Sequence, residues 1–363
     1  VSTPIDRADR VATKLTERGI DALLVTDLVN VRWLTGFSGS NGLALVGPAA
    51  QRLFLTDFRY LTQSSEQVGE DWEREIAPEL LPAATGYVGP ADGKTVKLGF
   101  DDAHLSVRDH RALAGRLVDG VELVAAGGII EDLRAVKDAD EQARIRAAAK
   151  LADAALAEVL TRGLAGRTER EVALDLEMTM RRAGAEAVSF PPIIASGTHS
   201  ALPHAEPRDV EIPKGTLVTI DWGAQLDGYA SDCTRTYATG ELDPRDREIY
   251  ELVLHAQITS LAAVKAGAGG RAIDAVAREI ITAAGHGEHF GHGLGHGVGA
   301  AVHEGPRLSQ RSEATLEVGQ VVTVEPGVYV PGAVGVRIED LAIVTADGSD
   351  VLTSLPKELQ IIE

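Results

Sequence analysis

Four acidic residues stand at matching places in two similar stretches of this sequence. KGTLVTID (214–221) and VGQVVTVE (318–325) align position by position: a glycine, alternating apolar residues, then a carboxylate six residues after the glycine. Each is followed by a turn and a second strand-like stretch with another acid, Asp232 in GYASDCTRTYATG and Glu339 in GVRIEDLAIVT. Taken singly, any of these acids reads as a strand-end residue paired with an arginine or solvated at a turn. Strand alternation puts Asp221 on the face that holds Thr219 and Leu217. If the echoed halves pack face to face about a pseudo-twofold axis, Asp221, Asp232, Glu325 and Glu339 converge. Four bare carboxylates within bonding distance cannot all stay ionised, and two divalent cations would cancel their charge. An oxygen-rich site with one nitrogen suits Mn²⁺, Co²⁺ or Zn²⁺ better than an all-oxygen calcium cage does.

The nitrogen is to be sought among ten histidines, five of which lie in HGEHFGHGLGHGVGAAVHEGP (286–306). Interleaved glycines let the backbone fold close to a ligand, a pattern useful for a site and poor for a core. The repeat GHGLGHG singles out His292 and His296, and His303 follows seven residues later. His286 and His289 read as exposed loop residues. His204, in LPHAEP, is a weaker candidate, since such a loop can be ordinary.

Positioning these groups requires helices and strands in a definite order. The stretch 133–160 predicts one long, Ala-rich amphipathic helix. A capping box, Thr168 with Glu171, opens a second helix with Val172, Leu176 and Met180 on one face. A third starts at Asp243-Pro244, and a fourth spans about Gly270 to Ala284 with Ile273, Ala277 and Ile280 inward. Each helix pair is followed by the echoed strands, so two half-domains of similar build are expected. The boundary falls after Gly127-Gly128, giving domains 1–130 and 131–363. The first reads as α/β, with strands at 22–25, 43–46, 53–56 and 96–100 and helices near 6–18 and 106–118. Its loop TGFSGSNG (35–42) is expected to be exposed.

Composition narrows the partners. Over 363 residues, 35 Lys and Arg against 54 Asp and Glu leave a net charge of −19, which repels phosphate backbones and anionic membranes. With 44% apolar residues there is ample material for real cores. Cys233 is the sole cysteine, so no intrachain disulfide forms. The start of the chain lacks the apolar core of a signal peptide, and the uncharged run 187–204 is broken by prolines. A cytoplasmic protein without nucleic-acid or membrane partners is expected.

The segments LRAVKDADE, SGTHSALPHAEP, IDWGAQLDGYASDCTRTYATG, GHGLGHGVGAAVHEGP, TVEPGVYVPG and GVRIED together resemble the M24 metallopeptidases of the pita-bread fold. NVRWLTGFSGSNG and LTDFRY resemble the smaller domain that precedes the catalytic one in the proline-specific branch and in creatinase. The resemblance implies an α/β (α+β) protein: a C-terminal pita-bread catalytic domain with pseudo-twofold halves behind a smaller creatinase-type α/β domain. It implies Asp221 as a ligand of one metal, Asp232 and Glu339 as carboxylates bridging both, and His296 with Glu325 as ligands completing the second. His204 and His292 match residues that hydrogen-bond substrate, His303 one that contacts the departing proline nitrogen, and Glu325 also a proton carrier. Arg337 would orient Asp232, neutralise excess negative charge or bind a substrate carboxylate, and Tyr229 would hydrogen-bond a metal ligand.

The implied reaction is hydrolysis of Xaa-Pro bonds at the N-terminus of dipeptides or short peptides, by a hydroxide held between two divalent ions, manganese first and cobalt or zinc next. A single small preceding domain leans toward dipeptides, as in prolidase; the alternative is an aminopeptidase P acting on longer peptides. A creatinase-like C–N hydrolase and a non-catalytic peptide-binding module are further rivals, against which the retention of all five ligands argues. The resemblance also implies a homodimer in which the 35–42 loop reaches over an active site.

Overall fold

The computed structural model describes residues 4–47, 51–90 and 93–363, and the chain divides into two compact units, Val1–Arg134 and Ala135–Glu363. In the first, strands β1 (Ala22–Val25), β2 (Gly42–Val46), β3 (Arg52–Thr56), β4 (Glu73–Ile76), β5 (Val96–Phe100) and β6 (Val121–Ala125) form one mixed sheet in the order β4-β3-β2-β1-β5-β6. Strands β1, β5 and β6 are parallel, as are β3 and β4, while β2 is antiparallel to both its neighbours. Helices α1 (Pro4–Arg18), α2 (Leu28–Thr35), α3 (Leu61–Gln67), α4 (Leu80–Thr85), α5 (Val107–Ala114) and α6 (Ile129–Ala135) complete the unit, α6 ending at the division. Strand β1 is apolar throughout because both its faces are covered: Leu23 and Val25 join one core cluster with Val11, Val31 and Ile130, and Ala22 and Leu24 join the other with Leu80 and Leu113. Strands β4 and β6 are additions to the sequence-based reading. Both are sheet edges: β4 is polar and largely exposed, with no apolar alternation to mark it, whereas β6 is half-buried, with Val121, Leu123 and Val124 packed against the cores.

The 35–42 segment is exposed at Gly36, Ser38 and Ser40, as expected, but not throughout. Gly36 ends α2 in the left-handed region at φ 81°, and Phe37 is buried with its ring 4.7 Å from that of Phe54. Ser40 Oγ lies 2.6 Å from the Tyr60 hydroxyl. Its glycines and serines let the chain turn tightly around a packed aromatic ring.

The second unit holds the echoed halves. The first contains α7 (Ala139–Leu160), α8 (Glu169–Arg182), β7 (Ala187–Val188), β8 (Ile193–Ser196), β9 (Leu217–Trp222), β10 (Ala224–Leu226), β11 (Tyr229–Ala230) and β12 (Cys233–Ala238). The second contains α9 (Pro244–Ala262), α10 (Gly270–Ala283), β13 (Gly295–Gly297), β14 (Glu304–Leu308), β15 (Val321–Val324), β16 (Gly327–Val330), β17 (Val334–Arg337), β18 (Asp340–Val344) and β19 (Ser349–Val351). The principal sheets are β12-β9-β8 and β14-β13-β15-β18-β19, with small ones formed by β11-β10-β7 and β16-β17. The echo is structural: β9 pairs antiparallel with β12 as β15 pairs with β18, and the N-caps of α8 and α10 each make an isolated bridge, Thr168 with Glu211 and Gly269 with Thr315.

One helix expectation is corrected. The run 133–160 is two helices, because Asp138 accepts from Glu141 N while Glu141 reciprocates, a capping box that starts α7 afresh. In α10 Ile273 and Ala277 are buried and Ile280 packs half-buried against the same core, as expected, and Ile281 joins them. Helices α7 and α8 cover the first sheet through Leu156, Val172, Leu176 and Met180 packed on Ile194, Val218, Ile220 and Trp222. The opposite face of β9 carries Leu217, Thr219 and Asp221 toward the second half.

The halves are not simply stacked face to face; backbone meets strand. Glu339 N donates to Thr234 O at 3.1 Å, Thr219 Oγ1 donates to Gly335 O at 3.2 Å, and Thr236 Oγ1 donates to Arg337 O at 2.9 Å. Residue 335 must be glycine, since a Cβ there would collide with the Ser200 carbonyl. Among the described residues no helix is long and apolar enough to cross a membrane.

Candidate metal centre

The join between the halves brings the predicted acids together. Asp221 is the penultimate residue of β9, Asp232 immediately precedes β12, Glu325 follows β15, and Glu339 sits between β17 and β18. One carboxylate oxygen each from Asp221, Asp232 and Glu339 lie within 4.8 Å of one another. His296, central in β13, places Nε2 at 3.2 Å from Glu325 Oε1 and 3.5 Å from Asp232 Oδ2. These five residues, with His204, His292, His303 and Arg337, line one cavity of about 490 Å³. Its walls also include Phe190, Pro191, Pro192, Ile193 and Arg307.

Burial pushes the carboxyls of Asp221, Asp232 and Glu339 above the ordinary range, Asp232 and Glu339 well above it. Like charges add to this: Glu339 and Asp221 around Asp232, and Glu325 and Asp221 around Glu339. For Asp221, Arg337 opposes the effect. Burial acts on Glu325 too, yet the hydrogen bond and charge of His296 bring it down to about 2.

The donor set fits divalent cations. Asp221 Oδ1 and Glu339 Oε1 are buried without a hydrogen-bond partner. The His296 Nδ1 lies 3.1 Å from the Gly297 carbonyl, which can only accept, so in the neutral ring the proton sits on Nδ1. The Nε2 lone pair then faces Glu325 and Asp232, an arrangement that is repulsive unless a proton or a cation stands between. A histidine whose second N–H is fixed by a backbone carbonyl is the usual form of a metal ligand.

Several partners differ from the sequence-based reading. Arg337, fully enclosed, binds Asp221 rather than Asp232: Nη2 donates to Asp221 Oδ2 at 2.6 Å, Nε to Thr234 Oγ1 at 3.0 Å, and Nη1 to the Tyr329 hydroxyl at 2.8 Å and Pro203 O at 3.2 Å. Asp221 is the nearer acid because it stands opposite Thr234 in the β9–β12 register. The Tyr229 hydroxyl donates to Glu141 Oε1 at 2.9 Å, on the α7 side, so it serves the helix–sheet packing. His286 and His289 are half-buried and face each other, Nδ1 to Nδ1 at 3.0 Å.

Three residues were missed. Thr234 Oγ1 donates to Glu339 Oε2 at 2.7 Å, and Thr323 Oγ1 donates to Glu325 Oε1 at 3.1 Å while accepting from His296 N at 3.0 Å. Thr323 was findable, since it is the echo of Thr219 and strand alternation puts it on the face of Glu325. Tyr329 was not, because only the fold brings its hydroxyl to 2.9 Å from His292 Nε2. His292 Nδ1 faces the Gly293 carbonyl at 2.8 Å, so Nδ1 carries the proton and Nε2 accepts from Tyr329.

Convergent carboxylates with one imidazole, on two echoed half-domains, define a metal-dependent hydrolase of pita-bread architecture. The profile described as Metallopeptidase family M24 matches residues 143–346, and that of the Creatinase/Prolidase N-terminal domain matches residues 7–136. The chain is 41% identical over 356 residues to the uncharacterized peptidase YqhT of Bacillus subtilis, covering 98% of this chain and 100% of that one. Among solved structures, an Xaa-Pro dipeptidase from Bacillus anthracis superposes with TM-score 0.94 at 40% identity, covering 99% of this chain and 100% of that one. An X-Pro aminopeptidase from Thermotoga maritima gives TM-score 0.89 at 34% identity over 98% and 99%. The chain therefore belongs to metallopeptidase family M24, with a creatinase-type domain preceding the catalytic one.

Proposed function

We propose that this protein hydrolyses Xaa-Pro bonds at the N-terminus of dipeptides and short peptides, using two divalent ions, with manganese the first choice and cobalt or zinc the alternatives. The observation that carries the reading is the set of three carboxylates within 4.8 Å of one another, faced by the His296 lone pair. Asp221, Asp232, His296, Glu325 and Glu339 would hold the ions. Such ions, when bound, lower the pKa of water toward neutrality and polarise a carbonyl oxygen.

The chain's own groups do the rest. Glu325 would take a proton from the attacking water and return it to the leaving nitrogen. His204 and His303 are exposed to the cavity and supply N–H donors, His204 toward the reacting carbonyl and His303 toward the proline nitrogen. With both ring nitrogens engaged, His292 acts by holding Tyr329 and, through it, Arg337. An imide bond has no N–H and holds a rigid ring, and the wall of Phe190, Pro191, Pro192 and Ile193 offers that ring an apolar surface. Arg307, exposed on the same cavity, supplies a cation for the free carboxylate of a dipeptide, which supports the dipeptidase reading over an aminopeptidase P. Similarity to the Xaa-Pro dipeptidase from Bacillus anthracis supports the same choice. A cytoplasmic homodimer, with residues 1–130 and 131–363 as its domains, is the setting we propose; a single buried cysteine accords with a reducing compartment.

The test is dialysis against chelator, re-addition of Mn²⁺, Co²⁺ or Zn²⁺, and proline release from Ala-Pro and Ala-Pro-Ala, with bound metal counted. Activity restored on Ala-Pro alone supports a dipeptidase. Activity on the tripeptide alone favours an aminopeptidase, and none on either peptide with two ions bound refutes the assignment.

A further inference from the structure

The segment between β8 and β9 that carries His204 has little regular structure of its own, only a 3-10 turn (Gly197–Ala201), yet Pro203 through Pro207 form one side of the cavity. It is held from below by one carboxylate. Glu169, the first residue of α8, is 0% exposed. Its Oε1 accepts from Ser196 N at 2.9 Å, Ser196 Oγ at 2.8 Å and Arg208 Nη2 at 3.0 Å. Its Oε2 accepts from His199 Nδ1 at 2.9 Å, Arg208 N at 3.1 Å and Arg208 Nε at 3.0 Å. One side chain thus ties the chain on either side of His204, at Ser196 and at Arg208, to a rigid helix, and the stretch between them is tied to the metal centre where Arg337 Nη1 donates to Pro203 O. Six donors converging on two oxygens require a carboxylate, since an amide offers one acceptor and turns two donors against the rest.

We propose that Glu169, with Arg208, is the positioning element for His204: the Glu169–Arg208 clasp sets where that imidazole stands in the cavity. It acts through His204 and touches neither substrate nor the metal-binding acids. The catalytic part of this inference rests on the Xaa-Pro reading given above; the structural part does not.

The test compares E169Q, R208M and R208K with the parent, each alone and in an H204A background, as the manganese-loaded full chain acting on Ala-Pro. Arg208 is half exposed, so R208M and R208K keep the test open if E169Q folds poorly. Misplacing the imidazole is expected to lower kcat/KM by about 10- to 100-fold in E169Q and R208M, mostly in kcat, with R208K recovering part of the loss. In the H204A background the same changes are expected to matter less than about twofold, because sites acting through one group are not additive. Mn²⁺ affinity is expected to stay within about twofold of the parent's. Hydrogen exchange is expected to speed up at Leu202 and Ala205, whose amides bond within the segment, and not in β9. Equal penalties in the presence and absence of His204 would overturn the proposal, as would unchanged exchange at Leu202 and Ala205 in a folded E169Q. If the parent cleaves no Xaa-Pro peptide, the functional reading fails, and exchange still decides whether the clasp positions the segment.

Discussion

Replacing Asp232 by Asn should abolish metal-dependent activity and yet make the metal-free protein more stable. Without cations, Asp232 is buried with the oxygens of Asp221 and Glu339 within 4.8 Å. At an effective dielectric of about 20, two unit charges at that distance repel by roughly 3.5 kcal/mol. The penalty has a ceiling, because the group can take up a proton instead. Relative to its ordinary pKa of 3.8, staying neutral costs about 1.4 kcal/mol per pH unit, or roughly 6 kcal/mol at pH 8 and under about 2 kcal/mol at pH 5. The sign follows from linkage: a carboxyl raised in the folded state holds a proton that the unfolded chain releases, so its contribution is lost as pH rises. Removing the charge should therefore stabilise the metal-free form by about 3 kcal/mol at pH 8, a rise of about 6–12 °C in Tm for a unit of this size, and by much less at pH 5. Calorimetric melts in chelator at the two pH values measure this, and melts in excess Mn²⁺ should show the parent gaining stability and the variant not. A variant that melts below the parent in chelator at pH 8, or that gains equally at both pH values, would refute the reasoning.

Two further outcomes can be checked directly. Tyr329→Phe removes the hydroxyl joining His292 Nε2 and Arg337 Nη1 and should cost about 1–3 kcal/mol in urea unfolding; a change under about 0.5 kcal/mol would mean the buried bridge carries no net stability. Arg307→Ala should raise KM for Ala-Pro by about 10- to 100-fold and leave Ala-Pro-amide, which lacks the carboxylate, nearly unchanged; equal effects on both would remove Arg307 from carboxylate recognition.

Much of the centre was legible before any fold was known, for reasons visible in particular residues. The echo of 214–221 in 318–325 exposed Asp221 and Glu325 because a strand repeats every two residues and a repeated half-domain repeats its functional positions. Thr168 with Glu171 and Asp243 with Pro244 marked helix starts because capping is satisfied within one turn of chain. The alternating glycines singled out His296 by the same local logic. The break at Asp138 is equally local, a capping box within an otherwise helix-forming run.

What the tertiary structure decided is which groups meet. Arg337 pairs with Asp221 and not Asp232, Tyr229 is bound to Glu141, Tyr329 stands between His292 and Arg337, and Glu169 gathers Ser196, His199 and Arg208. Edge strand β4 likewise is a strand through its pairing with β3, with no apolar pattern of its own. Residue types and short spacings carry backbone periodicity and capping, which depend on atoms a few positions away. The partner of a buried charge depends on which strands lie side by side, and that is settled only when residues about 100 positions apart, such as Thr234 and Glu339, are brought into contact.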